Sequence, residues 1–196
     1  MPENAPFDDL YIYYLKGRVR AAEHRFGDKF IGNWQEDDTA FLFFTAPAEE
    51  AVERLIHLQA DLQLIDRFHM PYMDWHGGEI QAFSTDRFHI FPPWLDNGQT
   101  GDKLPIMLDP GVVFGAGTHP TTRDCIEAIE IAFDAGGVET VVDLGTGTGL
   151  LALAAVKLGG RRVLAVDNNY LAVRTTYHNI ELNHMDREAL AICADA

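Results

Sequence analysis

The run Leu10 to Leu15 is aromatic and β-branched without a polar interruption and stops at Gly17, which predicts a buried strand. Phe30 to Trp34 and Thr39 to Thr45 flank the polar stretch Gln35 to Asp38 and predict a hairpin. After Pro47 the period changes. Glu49 and Glu50 lead a segment in which Ala51, Leu55, Ile56 and Leu58 fall along one side, the pattern of an amphipathic helix whose first-turn acids complement its dipole. Further strands are expected near Leu62 to Phe68 and from Ile80 to Phe83, the latter with Phe88 to Phe91 as its partner. Arg18 to Phe26 is the only room for a helix ahead of the hairpin. These elements describe a small α+β module over residues 1–94.

Asp96 to Asp102 is polar and rich in turn residues, so residues 95–120 are expected to link this module to a second one over residues 121–196. There the rhythm is different. Thr121 to Phe133 predicts a helix with Ile126, Ile129 and Phe133 on one side, Thr140 to Leu144 a strand, Leu150 to Leu158 a helix, Arg162 to Val166 a strand and Tyr170 to Asn183 a helix. Alternating strands and helices at this short spacing imply parallel strands with crossover helices, an α/β arrangement. Asn179 and Asn183 lie four apart on the last helix and are expected to hold neighbouring loops together.

The formal net charge of −15 argues against direct nucleic-acid binding, since no basic run longer than Arg161-Arg162 offsets it, and favours a basic protein partner or a purely solubilising role. Cys125 and Cys193 are far apart, without spacing for a disulfide framework or a zinc site, and the histidines are scattered without a shared ligand pattern, so no metal is expected. The segment Met1 to Leu10 lacks the basic and apolar regions of a secretory leader, and no apolar run reaches membrane-spanning length. A cytoplasmic protein without a membrane partner is the expectation. Trp34, Trp75 and Trp94 are read as core aromatics before a recognition surface.

Candidate chemistry concentrates where the strand Thr140 to Leu144 turns into the following helix through Gly145-Thr146-Gly147-Thr148-Gly149. Glycines at such a turn let backbone approach a ligand, and the helix N-terminus is expected to offer free N–H groups to its polar end. Asp167, closing the next strand, is placed to accept hydrogen bonds from a ribose diol. Together they predict a nucleoside-containing cofactor. The dinucleotide fingerprint wants G-x-G-x-x-G, whereas Leu150 occupies its last glycine. Asp143, two residues before the first glycine, opposes a pyrophosphate but suits a cofactor that ends in an ammonium group, as S-adenosylmethionine does. A nicotinamide-dependent dehydrogenase is therefore the weaker reading.

The stretch Asp109-Pro110-Gly111-Val112-Val113-Phe114-Gly115-Ala116-Gly117-Thr118-His119-Pro120-Thr121-Thr122, followed by the Asp143 to Gly149 loop and by Asp167, resembles ribosomal protein L11 methyltransferases. Asp74-Trp75 and Phe91-Pro92-Pro93-Trp94 are similar to the family too, so the resemblance runs from about residue 70 onward. It implies a small α+β substrate-recognition domain followed by a Rossmann-like parallel sheet, and a reaction in which S-adenosylmethionine methylates amino groups of ribosomal protein L11. Carried over by position, it implies that Thr122, Gly145 and Asp167 contact the cofactor, with Asp143 and Gly147 shaping the same pocket. Thr122 also fits a helix N-terminal device, and the two roles are compatible. Phe114 and His119 are candidates to line the pocket, with a structural role the alternative for His119. Asp195 is either an acceptor for the adenine amino group or a solvated tail residue.

Two departures from the family are visible. The sequence reaches Ala196 after what reads as a third strand, so the sheet is expected to be incomplete, the catalytic residues to lie beyond Ala196, and the strand at Thr140 to Leu144 to be left at an open edge. The short N-terminal region also puts the substrate in question: a methyltransferase acting on a different protein, or a cofactor-binding fragment without catalysis, are the alternatives to L11 methylation. Oligomeric state has no sequence signal.

Overall fold

The computed structural model describes residues 5–95, 100–117 and 119–195. Two compact units divide at 79/80. The first contains β1 (Asp9–Lys16), β2 (Phe30–Glu36), β3 (Thr39–Phe44), α1 (Glu49–Leu58), β4 (Gln63–Pro71) and the single turn α2 (Tyr72–Trp75). Its sheet runs β2-β3-β1-β4 and is antiparallel throughout, with a register shift between Tyr14 and Leu15 where β1 meets β4. Alternate residues Tyr13, Leu15, Ala40, Leu42 and Phe44 face one core, which Val52 and Leu55 of α1 close. The expected strands, hairpin and helix are all present. Between β1 and β2, however, the chain forms only a 3-10 turn, Glu23–Phe26, between Gly17 and Gly27, both at positive φ.

A side chain from the sheet starts α1. Ala48, the N-cap residue, has no capping side chain of its own, and its N–H instead donates to the Tyr13 hydroxyl at 2.8 Å. The acids Glu49 and Glu50 follow in the first turn, where the helix dipole favours them.

The second unit holds two three-stranded sheets. Strands β5 (Phe83–Ser84), β6 (Phe88–Phe91) and β7 (Leu104–Met107) form one, with β5 antiparallel and β7 parallel to β6. β7 falls inside the stretch expected to be a linker, and β5 and β6 belong with the second unit, not the first. Pro105 masked β7 in the sequence; an edge strand tolerates the missing N–H. Residues 96–99 of the boundary loop lie outside the described residues.

After α3 (Pro120–Asp134) come β8 (Thr140–Leu144), α4 (Leu150–Lys157), β9 (Arg162–Asp167), α5 (Tyr170–Leu182) and β10 (Ala189–Cys193), in the expected order. The three strands are parallel in the order β10-β9-β8. α4 is apolar all round and its Leu150, Ala152, Leu153, Ala154 and Ala155 are buried between the sheet and α3, as a helix at the centre of a core requires. Among the described residues β8 pairs with β9 alone, so it forms the open edge, with Val142 and Leu144 55% and 63% exposed.

Replacing Tyr13 by Phe leaves the Ala48 N–H without its acceptor inside the first unit. Urea denaturation followed by circular dichroism is expected to show a loss of about 1–2 kcal/mol.

Candidate nucleoside-binding site

Parallel strands bring the carboxyl ends of β8, β9 and β10 to one end of the sheet, and that geometry places Asp143, the glycine loop, Asp167 and Asp195 there together. Asp143 and Asp167 are the last inward-facing residues of their strands and both are buried. Asp167 is the hub. Its Oδ2 accepts from the Gly147 N–H at 3.1 Å and its Oδ1 from the Asn169 N–H at 2.9 Å. Each oxygen keeps a further lone pair for a ligand hydroxyl. Asn169 in turn caps α5, accepting from the Leu171 N–H at 3.0 Å.

Asp143 accepts from the Thr146 hydroxyl at 2.7 Å. Burial pushes its carboxyl above the ordinary range; the Thr146 and Ala152 hydrogen bonds pull the other way, and the nearby Asp167 charge adds to the rise. Neither acid has an ion-pair partner among the described residues. Two buried acids with no cation beside them make this end of the sheet electronegative.

The three loop glycines differ in what they do. All have positive φ, 70° at Gly145, 58° at Gly147 and 85° at Gly149. A Cβ at Gly147 would strike the Phe114 carbonyl, and one at Gly149 would meet Thr176 Cγ2 at 2.8 Å, so these two are glycine because protein packs on them. Gly145 faces open space. It is the position where a ligand has room against the backbone.

The N–H groups of the glycine loop itself are all used within the protein. Gly145 and Thr146 both donate to the Val166 carbonyl, Gly147 to Asp167, Thr148 to the Phe114 carbonyl at 3.1 Å and Gly149 to the Thr146 carbonyl. Closing the loop against β9 and the 114–117 segment uses the loop's own donors; the expected free N–H groups belong to the N-terminus of α4, which begins at Leu150.

That segment is laid onto the loop by the Thr148 hydroxyl, which donates to the Gly115 carbonyl at 2.8 Å. Arg123 holds its far end, donating from Nε to the Gly117 carbonyl while its guanidinium sits 4.7 Å over the Phe83 ring. Phe114 is 65% exposed with its ring 5.7 Å from His119. His119 is the N-cap of α3: its Nδ1 accepts from the Thr121 N–H and bonds the Thr121 hydroxyl at 2.7 Å. The capping device at this helix is therefore the histidine, and Thr122, buried on the first turn, makes no side-chain hydrogen bond among the described residues. Asp195 is exposed just past β10, beside Ala194, whose N–H donates to the Asp167 carbonyl. Thr118 lies outside the described residues.

α5 fastens the site from below. The Thr176 hydroxyl donates to the Gly147 carbonyl at 2.9 Å. Asn179 accepts from the Asp109 N–H and donates to the carbonyls of Asp109 and Thr148. Asn183 accepts from the Met107 N–H and donates to its carbonyl. The loop-holding role expected of the two asparagines is what the contacts show. Thr146, Thr148 and Thr176 were not foreseen, because nothing in a lone threonine marks the carbonyl it reaches. Among the described residues no three His, Cys, Asp or Glu side chains form a metal-holding group.

Two outcomes follow for this geometry. Gly145→Ala is expected to stay folded with a loss of about 1–2 kcal/mol for a left-handed backbone, whereas Gly147→Ala loses more because the Phe114 carbonyl must move; thermal unfolding separates them. Asp143 titrates above the usual carboxylate range in the folded chain, so its stabilising share is complete at pH below its unfolded value and is lost as pH rises through the folded one. Asp143→Asn is accordingly expected to raise the Tm at neutral pH and to give no gain in acid below the carboxylate range.

Known proteins are similar to this chain in sequence and, over part of its length, in structure. A profile of the ribosomal protein L11 methyltransferase (PrmA) family matches residues 37–195. A ribosomal protein L11 methyltransferase from Cyanothece sp. is 43% identical over 122 residues, 60% of this chain and 40% of the relative. One from Listeria monocytogenes is 30% identical over 184 residues, 84% of this chain and 58% of the relative. The crystal structure of a ribosomal protein L11 methylase from Lactobacillus delbrueckii subsp. bulgaricus is 32% identical with a TM-score of 0.51, covering 58% of this chain and 56% of that one. The chain spans about half the length of the curated relatives it matches. With a match across residues 37–195, the chain belongs to the ribosomal protein L11 methyltransferase family.

Proposed function

We propose that this chain forms the cofactor-binding part of an S-adenosylmethionine-dependent methyltransferase whose acceptor is an amino group of ribosomal protein L11. One observation carries the cofactor reading: Asp143 and Asp167 are buried side by side at the strand ends without a cationic partner among the described residues, while the loop's own N–H groups are spent within the protein. Such a site opposes a pyrophosphate and favours a ligand with positive charge and a ribose. S-adenosylmethionine, with an ammonium, a sulfonium and a nucleoside, fits it.

In this reading Asp143 faces the ammonium, the ligand lies over Gly145, Asp167 accepts from the ribose diol, and the Thr122 hydroxyl contacts the ligand. Asp195 accepts from the adenine amino group. Gly147 shapes the pocket indirectly, by letting the 114–117 segment close down on the loop. When bound, S-adenosylmethionine supplies an electrophilic methyl group. What these residues contribute is orientation for in-line attack by a neutral amine, together with charge complementarity. No residue among them is assigned to remove the amine's proton.

The acceptor rests on the relatives, each named as a methyltransferase of ribosomal protein L11, and the acidic charge of −15 suits a basic protein partner. A ribosomal acceptor implies a cytoplasmic place of work.

Calorimetric titration of the chain with S-adenosylhomocysteine, after circular dichroism has established folding, tests the reading. Micromolar binding supports it, and a folded chain that prefers a dinucleotide sinks it. Asp167→Ala is expected to weaken the binding by about 1–3 kcal/mol, the cost of leaving buried polar groups unpaired; unchanged affinity in a folded variant means the ribose sits elsewhere. Methyl incorporation into purified L11 from labelled S-adenosylmethionine then tests the acceptor.

A further inference from the structure

The first unit carries a cavity of about 360 Å³ lined wholly by its own residues. Phe26 and Leu55, both buried, give it an apolar floor, and Leu58, 74% exposed, adds apolar surface at its mouth. Three exposed arginines border it: Arg20 and Arg25, from the segment between β1 and β2, and Arg54 of α1. Three of the chain's 15 lysines and arginines thus gather at one apolar hollow in a protein of net charge −15.

Their existing commitments are light. Arg54 lies 3.6 Å from Glu50, whose side chain is 92% exposed, and Arg20 lies 2.7 Å from Asp61 with both side chains more than half exposed. Exposed pairs of this kind exchange readily for another carboxylate. Arg25 has no ion-pair or side-chain hydrogen-bond partner among the described residues. A guanidinium free beside apolar surface is suited to a planar carboxylate on a partly apolar ligand.

We infer that this cavity docks an acidic peptide segment, which seats one large apolar side chain on Phe26, Leu55 and Leu58 and lays flanking carboxylates on Arg20, Arg25 and Arg54. The guanidinia come from two separate segments, and engaging all three takes more than one carboxylate, which a peptide supplies and a simple monoacid does not. The inference is independent of the methyltransferase reading, because no cofactor residue lines the cavity.

The probe is a fluorescein-labelled peptide, acetyl-Asp-Glu-Leu-Phe-Glu-Asp-amide, titrated with the full chain at low salt and followed by anisotropy. Saturable binding is expected, weakened about tenfold by Arg25→Gln, the factor that corresponds to a lost charge-assisted hydrogen bond, and weakened also by Leu58→Ser. Both residues are exposed, so the core is untouched, and Arg161→Gln in the second unit is the charge control expected to change nothing. Absence of binding overturns the inference, as does equal binding by all variants or by the Asn and Gln analogue of the peptide. Oligouridylate or 4-phenylbutyrate binding as tightly as the peptide, with the same dependence on Arg25, overturns the assignment to a peptide.

Discussion

The buried carboxylate of Asp167 organises the end of the second unit where the parallel strands terminate. By taking one N–H from Gly147 and one from Asn169, it ties the loop after β8 to the turn after β9 through charge-assisted hydrogen bonds of a buried side chain. Two further features depend on it. The Asn169 side chain is set to start α5, and Gly147 is set against the Phe114 carbonyl, so the 109–117 segment inherits its position from the same bond.

α5 completes this arrangement with a polar seam. Thr176, Asn179 and Asn183 lie at helical spacing on one side, and instead of packing apolar groups they satisfy the backbone of the glycine loop and of the segment Met107 to Asp109. Irregular buried backbone has to be hydrogen-bonded by something, and here side chains from a helix do what a neighbouring strand does elsewhere. The consequence is a loop held in shape by the protein's own contacts. Its own donors are used internally and, among the described residues, its two buried acids have no cation beside them, which leaves this end of the sheet electronegative.

How much of this was legible in the sequence varies by element. Alternating strands and helices after Thr140 follow directly from hydrophobic period and glycine punctuation, and the observed β8 to β10 sheet matches them because local pattern and tertiary role agree there. The strand β7 was hidden by Pro105, and the unit boundary by a polar loop that falls inside the second unit. The acids Asp143 and Asp167 and the glycines between them were readable because strand ends in a parallel sheet necessarily converge.

By itself the sequence determined the order of elements, the glycine turn, the acid at each of two strand ends and the strongly negative charge, since each depends on neighbours along the chain. Tertiary structure alone decided which glycine faces open space and which two face protein, that His119 caps α3 in place of the threonines after it, and that the loop's own N–H groups are already taken. It also decided that arginines from two separate segments border one apolar hollow. The physical reason is common to all of these: they are contacts between residues distant in sequence, whose geometry is set by close packing and by the need of every buried polar group for a partner, and neither leaves a periodic trace in the chain.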